Sequence, residues 1–212
     1  MKKTMMFLAA GLLVALSPVY GNEISPGGTV AADLFSNASN YTLLDSTSGS
    51  GTATNDGSAL TVSYSAYVAA DQNNHYCPGC LDFAFRVTNI GPGDAIESIS
   101  TASFAGFLTD VGYYDVLSGV NPEGVSRNLS GSVLHFDFSG AGEIANGSSS
   151  RYLVVETNAT SYGLGSITVQ DGATVDLAGF APVPEPMTIG LLGGGLLLLG
   201  LFGYRRRKTV KL

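Results

Sequence analysis

From Leu60 to Leu177 the chain repeats one pattern: short windows in which apolar residues alternate with small or polar ones, separated by turn signals. Leu60, Val62, Tyr64, Ala66 and Val68 alternate in this way, with Tyr67 the large residue out of phase. Leu81, Phe83, Phe85 and Val87 alternate with Asp82, Ala84, Arg86 and Thr88. Leu134, Phe136 and Phe138 alternate with Val133, His135 and Asp137. Later windows carry Leu153 and Val155, Ile167 and Val169, then Val175 and Leu177. A period of two puts one face of an extended strand into a core and the other into water. Gly91-Pro92-Gly93, Asn121-Pro122-Glu123-Gly124, Ser139 to Gly142, Asn146-Gly147 and Asp171-Gly172 are turn sequences between the windows. No window holds a 3.6-residue period over a normal helix length, and no internal repeat is visible. The pattern predicts an all-β domain, an antiparallel β-sandwich, over residues 41–180. Residues 22–40 read as a polar N-terminal segment broken by Pro26-Gly27-Gly28. Asp45 to Ser58 holds only Ser, Thr, Gly, Asn, Asp and Ala and reads as a loop or loose hairpin.

Charge is partitioned along the chain. Lys2 and Lys3 open it, and Arg205, Arg206, Arg207, Lys208 and Lys211 close it. Between Asn22 and Pro186 stand three cations, Arg86, Arg127 and Arg151, against all 17 acids, a net of −14. Nucleic acid is excluded as a partner, because binding phosphates needs a basic face.

Hydrophobicity is concentrated at the two ends. After Lys2 and Lys3, Met5 to Leu16 is an apolar run of twelve residues, too short for a comfortable membrane span. Pro18 follows, then a small residue, Gly21, just before Asn22. That order predicts a signal peptide over residues 1–21, cleaved near Gly21, and an exported, oxidising setting for the rest. At the other end Met187 to Tyr204 is eighteen residues without a charge. As a helix it would be ~27 Å long, enough for the hydrocarbon core of a bilayer. Arg205 to Lys208 follow as a basic stop-transfer cluster, which keeps the tail cytoplasmic and the domain outside. Pro182-Val183-Pro184-Glu185-Pro186 precedes the span, and proline lacks an amide donor, so this stretch is extended and accessible.

Val183, Pro184, Glu185 and Pro186, the glycine- and leucine-rich span and the arginine cluster together resemble the PEP-CTERM sorting signal of Gram-negative bacteria. The resemblance covers residues 183–208 of a sorting tail spanning 181–212. It implies recognition by an exosortase, a membrane protease-transpeptidase that would cut near Pro184-Glu185-Pro186. It also implies an association with exopolysaccharide and biofilm matrix. A permanent anchor through the helix over 187–204 is the alternative, since the physics of insertion is the same for both. Ser103 to Tyr114, with Gly106-Phe107-Leu108-Thr109-Asp110-Val111-Gly112 inside it, loosely resembles a segment of other exported proteins with this tail.

Candidate chemistry inside the domain is sparse. Cys77-Pro78-Gly79-Cys80 suits a type II turn, whose ends come within about 7 Å, and predicts a disulfide stapling a hairpin tip ahead of Leu81. A redox role would need the pair at a helix start, and a strand follows instead. A zinc site would need His75, Cys77 and Cys80 plus a fourth ligand from distant His135. Asp71-Gln72-Asn73-Asn74 and Asn55-Asp56-Gly57 are oxygen-rich turns, short for a calcium site and more simply read as solvated acidic surface. No G-x-S-x-G elbow accompanies the two histidines, so no enzyme activity, catalytic residue or cofactor is expected. Eight tyrosines lie in the domain, and Tyr67, Tyr76, Tyr113 and Tyr114 are candidates for stacking on sugar rings. The expected role is structural or adhesive at the cell surface or in the extracellular matrix. A carbohydrate-binding module is the rival reading and a secreted hydrolase the third.

Overall fold

Alternating strands of this kind bury their apolar faces against a second sheet, and the computed structural model shows that arrangement. It describes residues 22–35, 40–55 and 58–184. The signal segment with Gly21, the motif residues Glu185 and Pro186, the span over 187–204 and the cluster Arg205, Arg206, Arg207 and Lys208 lie outside the described residues. Among the described residues thirteen strands run in chain order: β1 (Asn22–Glu23), β2 (Thr29–Val30), β3 (Asp33–Phe35), β4 (Tyr41–Asn55), β5 (Ser58–Asp71), β6 (Cys80–Asn89), β7 (Ser98–Ala102), β8 (Thr109–Tyr114), β9 (Gly124–Arg127), β10 (Val133–Asp137), β11 (Tyr152–Thr157), β12 (Tyr162–Asp171) and β13 (Ala173–Pro182). The larger sheet has the order β1-β8-β11-β6-β5-β4, with β3 also paired to β8. The smaller has the order β13-β12-β7-β10-β9-β2. Strand pairing is antiparallel except for β3 beside β8. Among the described residues no helix is long and apolar enough to cross a membrane.

The alternation resolves as expected on the inner faces. Leu60, Val62, Ala66 and Val68 of β5 and Leu81, Phe83, Phe85 and Val87 of β6 point into one core with Leu134 and Phe136 of β10. Phe138, just past β10, joins the same core. Phe85 from one sheet meets Phe136 from the other edge to face, with centroids 5.6 Å apart and planes at 88°. Such a contact adds to the burial of two large rings and ties the sheets together.

Two segments differ from the sequence reading. The low-complexity stretch after Asp45 is not a loop but most of β4, which pairs with β5 from Tyr41↔Asp71 to Asn55↔Ser58 with a bulge between Leu43 and Asp45. As an edge strand exposed along most of its length it has little to bury, so it shows no alternation. The polar segment 22–40 also contributes to both sheets, through β1 and β3 beside β8 and β2 beside β9. Gly112 makes this possible: a Cβ there would lie 2.3 Å from the Asp33 carbonyl, so only glycine lets β3 approach β8.

Candidate functional site on the outer face of the larger sheet

One face of the larger sheet packs on the core. The other is expected to meet water, yet Asp82, Ala84, Tyr114, Val154 and Glu156 on it are buried. Phe35 of β3, with Tyr67 and Tyr152, packs over Ala84, Tyr114 and Val154, and the β5–β6 connection, residues 72–79, reaches Asp82 and Glu156. Its turn closes through the Cys77–Cys80 disulfide, with Cα atoms 5.3 Å apart. The Cys80 N–H donates to the Cys77 carbonyl at 3.0 Å, and Gly79 takes the left-handed φ of +81° that a type II turn needs. The staple sits at the base of the connection, where Asp71 pairs with Cys80, rather than at a hairpin tip. In the chain-entropy account so small a ring contributes about 2 kcal/mol. Cys77→Ser with Cys80→Ser is expected to lower stability by about that amount, read as the shift of the urea midpoint.

The disulfide also decides two alternatives. Both sulfurs are bonded to each other, so the zinc set of His75, Cys77, Cys80 and His135 loses its thiolates. His135 lies in the other sheet, its Nδ1 3.0 Å from Ser100 Oγ. Cys80 opens strand β6, so the helix terminus that would activate a redox thiol is not there.

Under the connection runs a row of carboxyl groups. Cross-strand register places Glu23 opposite Asp110, Asp110 opposite Glu156, and Glu156 opposite Asp82. Their chain neighbours Val111, Val155 and Phe83 face the core, so these acids share the outer face. Asp71 ends β5 on the same side. One oxygen each of Asp71, Asp82 and Glu156 lie within 4.8 Å of one another. Asn74 Nδ2 donates to Asp82 Oδ1 at 2.8 Å, the Tyr114 hydroxyl to Asp82 Oδ2 at 3.2 Å and the His75 N–H to Glu156 Oε2 at 3.0 Å.

Burial raises the pKa values along this row. Asp82 is pushed up to about 8 by desolvation and then by Glu156, with the bonds from Asn74 and Tyr114 opposing. Glu156 rises to about 7, again by desolvation, offset by the His75 amide and reinforced by Asp110 and Asp71. Asp110 rises to about 6 by desolvation, partly offset by the neighbouring Val111 amide, with Asp33 and Glu23 adding to the rise. Ordinary values for such groups lie near 4, so between about pH 4 and 8 the native state binds protons that the unfolded chain releases. Stability contributed by these groups is present at the acid end and lost as pH rises through about 6 to 8. In buffer containing a chelator the melting temperature is expected to fall from about pH 5 to about pH 8. A rise over that interval contradicts a row held in the acid form.

Beside the acid row a groove of about 780 Å³ opens between β4 and the middle of the sheet. Its walls are Tyr41 and Leu43, the outward-facing serines Ser46, Ser48 and Ser65, and the rings of Tyr67, Tyr114 and Tyr152. Tyr41, which is 51% exposed, stacks on Tyr67 with centroids 6.5 Å apart and planes at 22°. Tyr67 meets Tyr152 at 5.5 Å, and Ser65 Oγ lies 3.2 Å from the Tyr152 hydroxyl. Tyr114 is buried beneath, its hydroxyl on Asp82, and so joins groove and acid row.

Of the four tyrosines singled out from sequence, Tyr67 and Tyr114 line the groove, Tyr67 at its side and Tyr114 as its buried floor. For Tyr67 the position out of phase in β5 was the signal, because an odd-numbered large residue there must face outward. Tyr113 packs on the core side and meets Arg151, whose guanidinium carbon lies 5.8 Å from the ring centre. Tyr76 covers the acid row, where desolvation and Glu23, Asp110 and Glu156 raise its hydroxyl pKa. Tyr41 and Tyr152 join Tyr67 only through strand register, which no single window reveals. Of the oxygen-rich turns, Asp71 to Asn74 does meet other acids, while Asp56 and Gly57 fall outside the described residues. Of the sorting motif, Val183 and Pro184 are described: β13 ends at Pro182, the Val183 N–H donates to the Ser161 carbonyl at 3.1 Å, and Pro184 is exposed. Comparison with family models, curated proteins and solved structures finds no match for this chain.

Proposed function

We propose that this chain is an exported protein of the cell surface or extracellular matrix whose β-sandwich binds neutral polysaccharide through the tyrosine groove, without catalysis. The observation that carries the binding half is the run of Tyr41, Tyr67 and Tyr152 along an open groove edged by Ser46, Ser48 and Ser65. Sugar rings offer apolar C–H faces and polar edges, and tyrosine offers an apolar face with a polar tip. The net of −14 over residues 22–186 repels polyanions, which favours an uncharged glycan. The adhesive role expected from the sequence and the glycan-binding alternative then become one activity: the sandwich holds the protein to matrix polysaccharide.

Export rests on the signal segment over residues 1–21. Processing rests on the resemblance of residues 183–208 to the PEP-CTERM tail. A domain whose last strand ends at Pro182, with Pro184 exposed, is compatible with an exosortase reaching Pro184-Glu185-Pro186 without unfolding it. Before cleavage the helix over 187–204 would hold the chain in the membrane.

Affinity electrophoresis in gels containing dextran, hydroxyethyl cellulose or soluble xylan tests the binding. Retardation by at least one polymer is expected. Tyr41→Ala, at an exposed position, is expected to weaken it about tenfold, the worth of one lost stacking contact. Migration unchanged by every neutral polymer would sink the glycan reading. Intact mass of the protein from membrane and released fractions tests the processing. A chain beginning near Asn22 and ending near Pro186 is expected, and one that retains Leu212 in both fractions means a lasting anchor.

A further inference from the structure

The acid row is costly as it stands. Asp71, Asp82, Asp110 and Glu156 are each at most 9% exposed, and buried carboxylates need a counter-charge, a proton or a cation. Among the described residues no Lys or Arg forms an ion pair with any of them; the ion pair found is Arg151 with Asp115, on another part of the surface. Arg127, whose field reaches Tyr76, gives its hydrogen bonds to neutral oxygens.

Two facts point the same way independently. First, one oxygen each of Asp71, Asp82 and Glu156 lie within 4.8 Å of one another. Oxygens bound to Ca²⁺ at about 2.4 Å are separated by at most about 4.8 Å, so one ion can touch all three. Second, Asp110 lies directly opposite Glu156 on the same face, is 0% exposed, and apart from the adjacent Val111 amide neither of its carboxylate oxygens has a hydrogen-bond partner. The buried Tyr76 hydroxyl, within the field of Asp110 and Glu156, likewise has no partner. Buried polar groups are ordinarily satisfied, so a buried carboxylate that only its own neighbour's amide reaches, next to a three-acid cluster, points to a ligand between them.

We propose that Asp71, Asp82 and Glu156, with Asp110 alongside, bind one Ca²⁺ between the outer face of the larger sheet and the disulfide-closed connection over residues 72–79. The donor set is hard oxygen only, which suits Ca²⁺ and disfavours softer metals. Three clustered carboxylates, from two strands and a strand end, with Asp110 alongside, make a site of variable geometry, which Ca²⁺ accepts and Mg²⁺ does not. Asn74 and His75 already bond to Asp82 and Glu156, so the ion would lock the connection onto the sheet. Through the Tyr114 hydroxyl on Asp82 it would also stiffen the floor of the tyrosine groove.

The test uses the full chain in detergent, treated with chelator and desalted. Tb³⁺, which replaces Ca²⁺ on oxygen ligands, is added first. Tyrosine-sensitised luminescence is expected, since the chain has no Trp and Tyr114 touches a ligand. Millimolar Ca²⁺ is expected to displace the Tb³⁺ and to raise the melting temperature by ~5 °C or more at saturation. Glu156→Gln is expected to weaken Ca²⁺ at least about tenfold, because charge count sets affinity in such sites. Asp110→Asn, which removes a charge without removing a bond, serves as the second variant should Glu156→Gln fail to fold. No luminescence and no thermal shift at millimolar Ca²⁺ overturns the proposal. So does an equal Ca²⁺ response in the native chain and a folded variant, which means scattered surface binding. A shift caused by Mg²⁺ but not Ca²⁺ also overturns it.

Discussion

Arg127→Ala is expected to destabilise the domain by about 3–5 kcal/mol, the range for stranding several buried polar groups at once. Arg127 is 4% exposed at the end of β9. Its Nε donates to the Gly131 carbonyl at 2.9 Å. Nη1 donates to the Ile24 carbonyl at 3.0 Å and to Thr109 Oγ1 at 2.8 Å. Nη2 donates to the carbonyls of Phe104 and Phe107 at 2.8 and 2.9 Å. All five guanidinium donors are used, and their acceptors come from three separate stretches of chain, around Ile24, over Phe104 to Thr109, and at Gly131. The arginine therefore acts as a clamp that ties the N-terminal segment and the loop before β8 to the β9–β10 turn. Truncation strips five charge-assisted bonds from these oxygens, a larger penalty than the loss of packing alone, although the Ile24 carbonyl keeps the Thr109 hydroxyl and the Phe104 carbonyl keeps the Phe107 N–H. Arg127→Lys keeps the charge but offers three donors, so it should fall between wild type and alanine. Thermal melting read alongside hydrogen exchange at Thr109 to Val111 checks this. A loss below about 1 kcal/mol for alanine means that the clamp is not structural.

Phe136→Ala is the second large effect, expected at about 3–5 kcal/mol. Phe136 is fully buried at the centre of the smaller sheet and carries the edge-to-face contact with Phe85. Deleting the ring removes both its transfer energy and the contact, and neighbours held by paired strands can collapse only partly into the space. For a domain of this size each kcal/mol corresponds to ~2–4 °C, so melting should move by ~10 °C. Phe136→Leu should lose clearly less, because most of the volume is kept. Equal losses for the two would place the energy in the ring contact rather than in the volume. The groove lies on the opposite face of the partner sheet, so glycan retention by folded Phe136→Leu should match the wild type.

Much of the fold was legible in the order of residues. Phe83 and Phe136 belong to windows of period two, and a strand buried on one face must alternate. Cys77-Pro78-Gly79-Cys80 announces its turn through proline at the second position and glycine at the third, because local φ constraints act within four residues. Where burial has a second cause, the signal disappears. Asp82 and Glu156 occupy the phase that predicts water, but the 72–79 connection covers them, and no periodicity records what lies above a sheet. β4 shows no alternation because an edge strand exposed on most of its length has no face to select.

The sequence by itself therefore determined the strands that feed the core, the turns between them, the disulfide and the acidity of the domain, all of which follow from interactions within a few residues. The tertiary structure alone decided that Tyr41, Tyr67 and Tyr152 form one groove, that Asp71, Asp82, Asp110 and Glu156 share one buried row, and that Arg127 clamps three stretches of chain. Those groupings depend on strand order and register, set by which apolar faces pack together across more than a hundred residues, and neighbouring residues carry no trace of that choice.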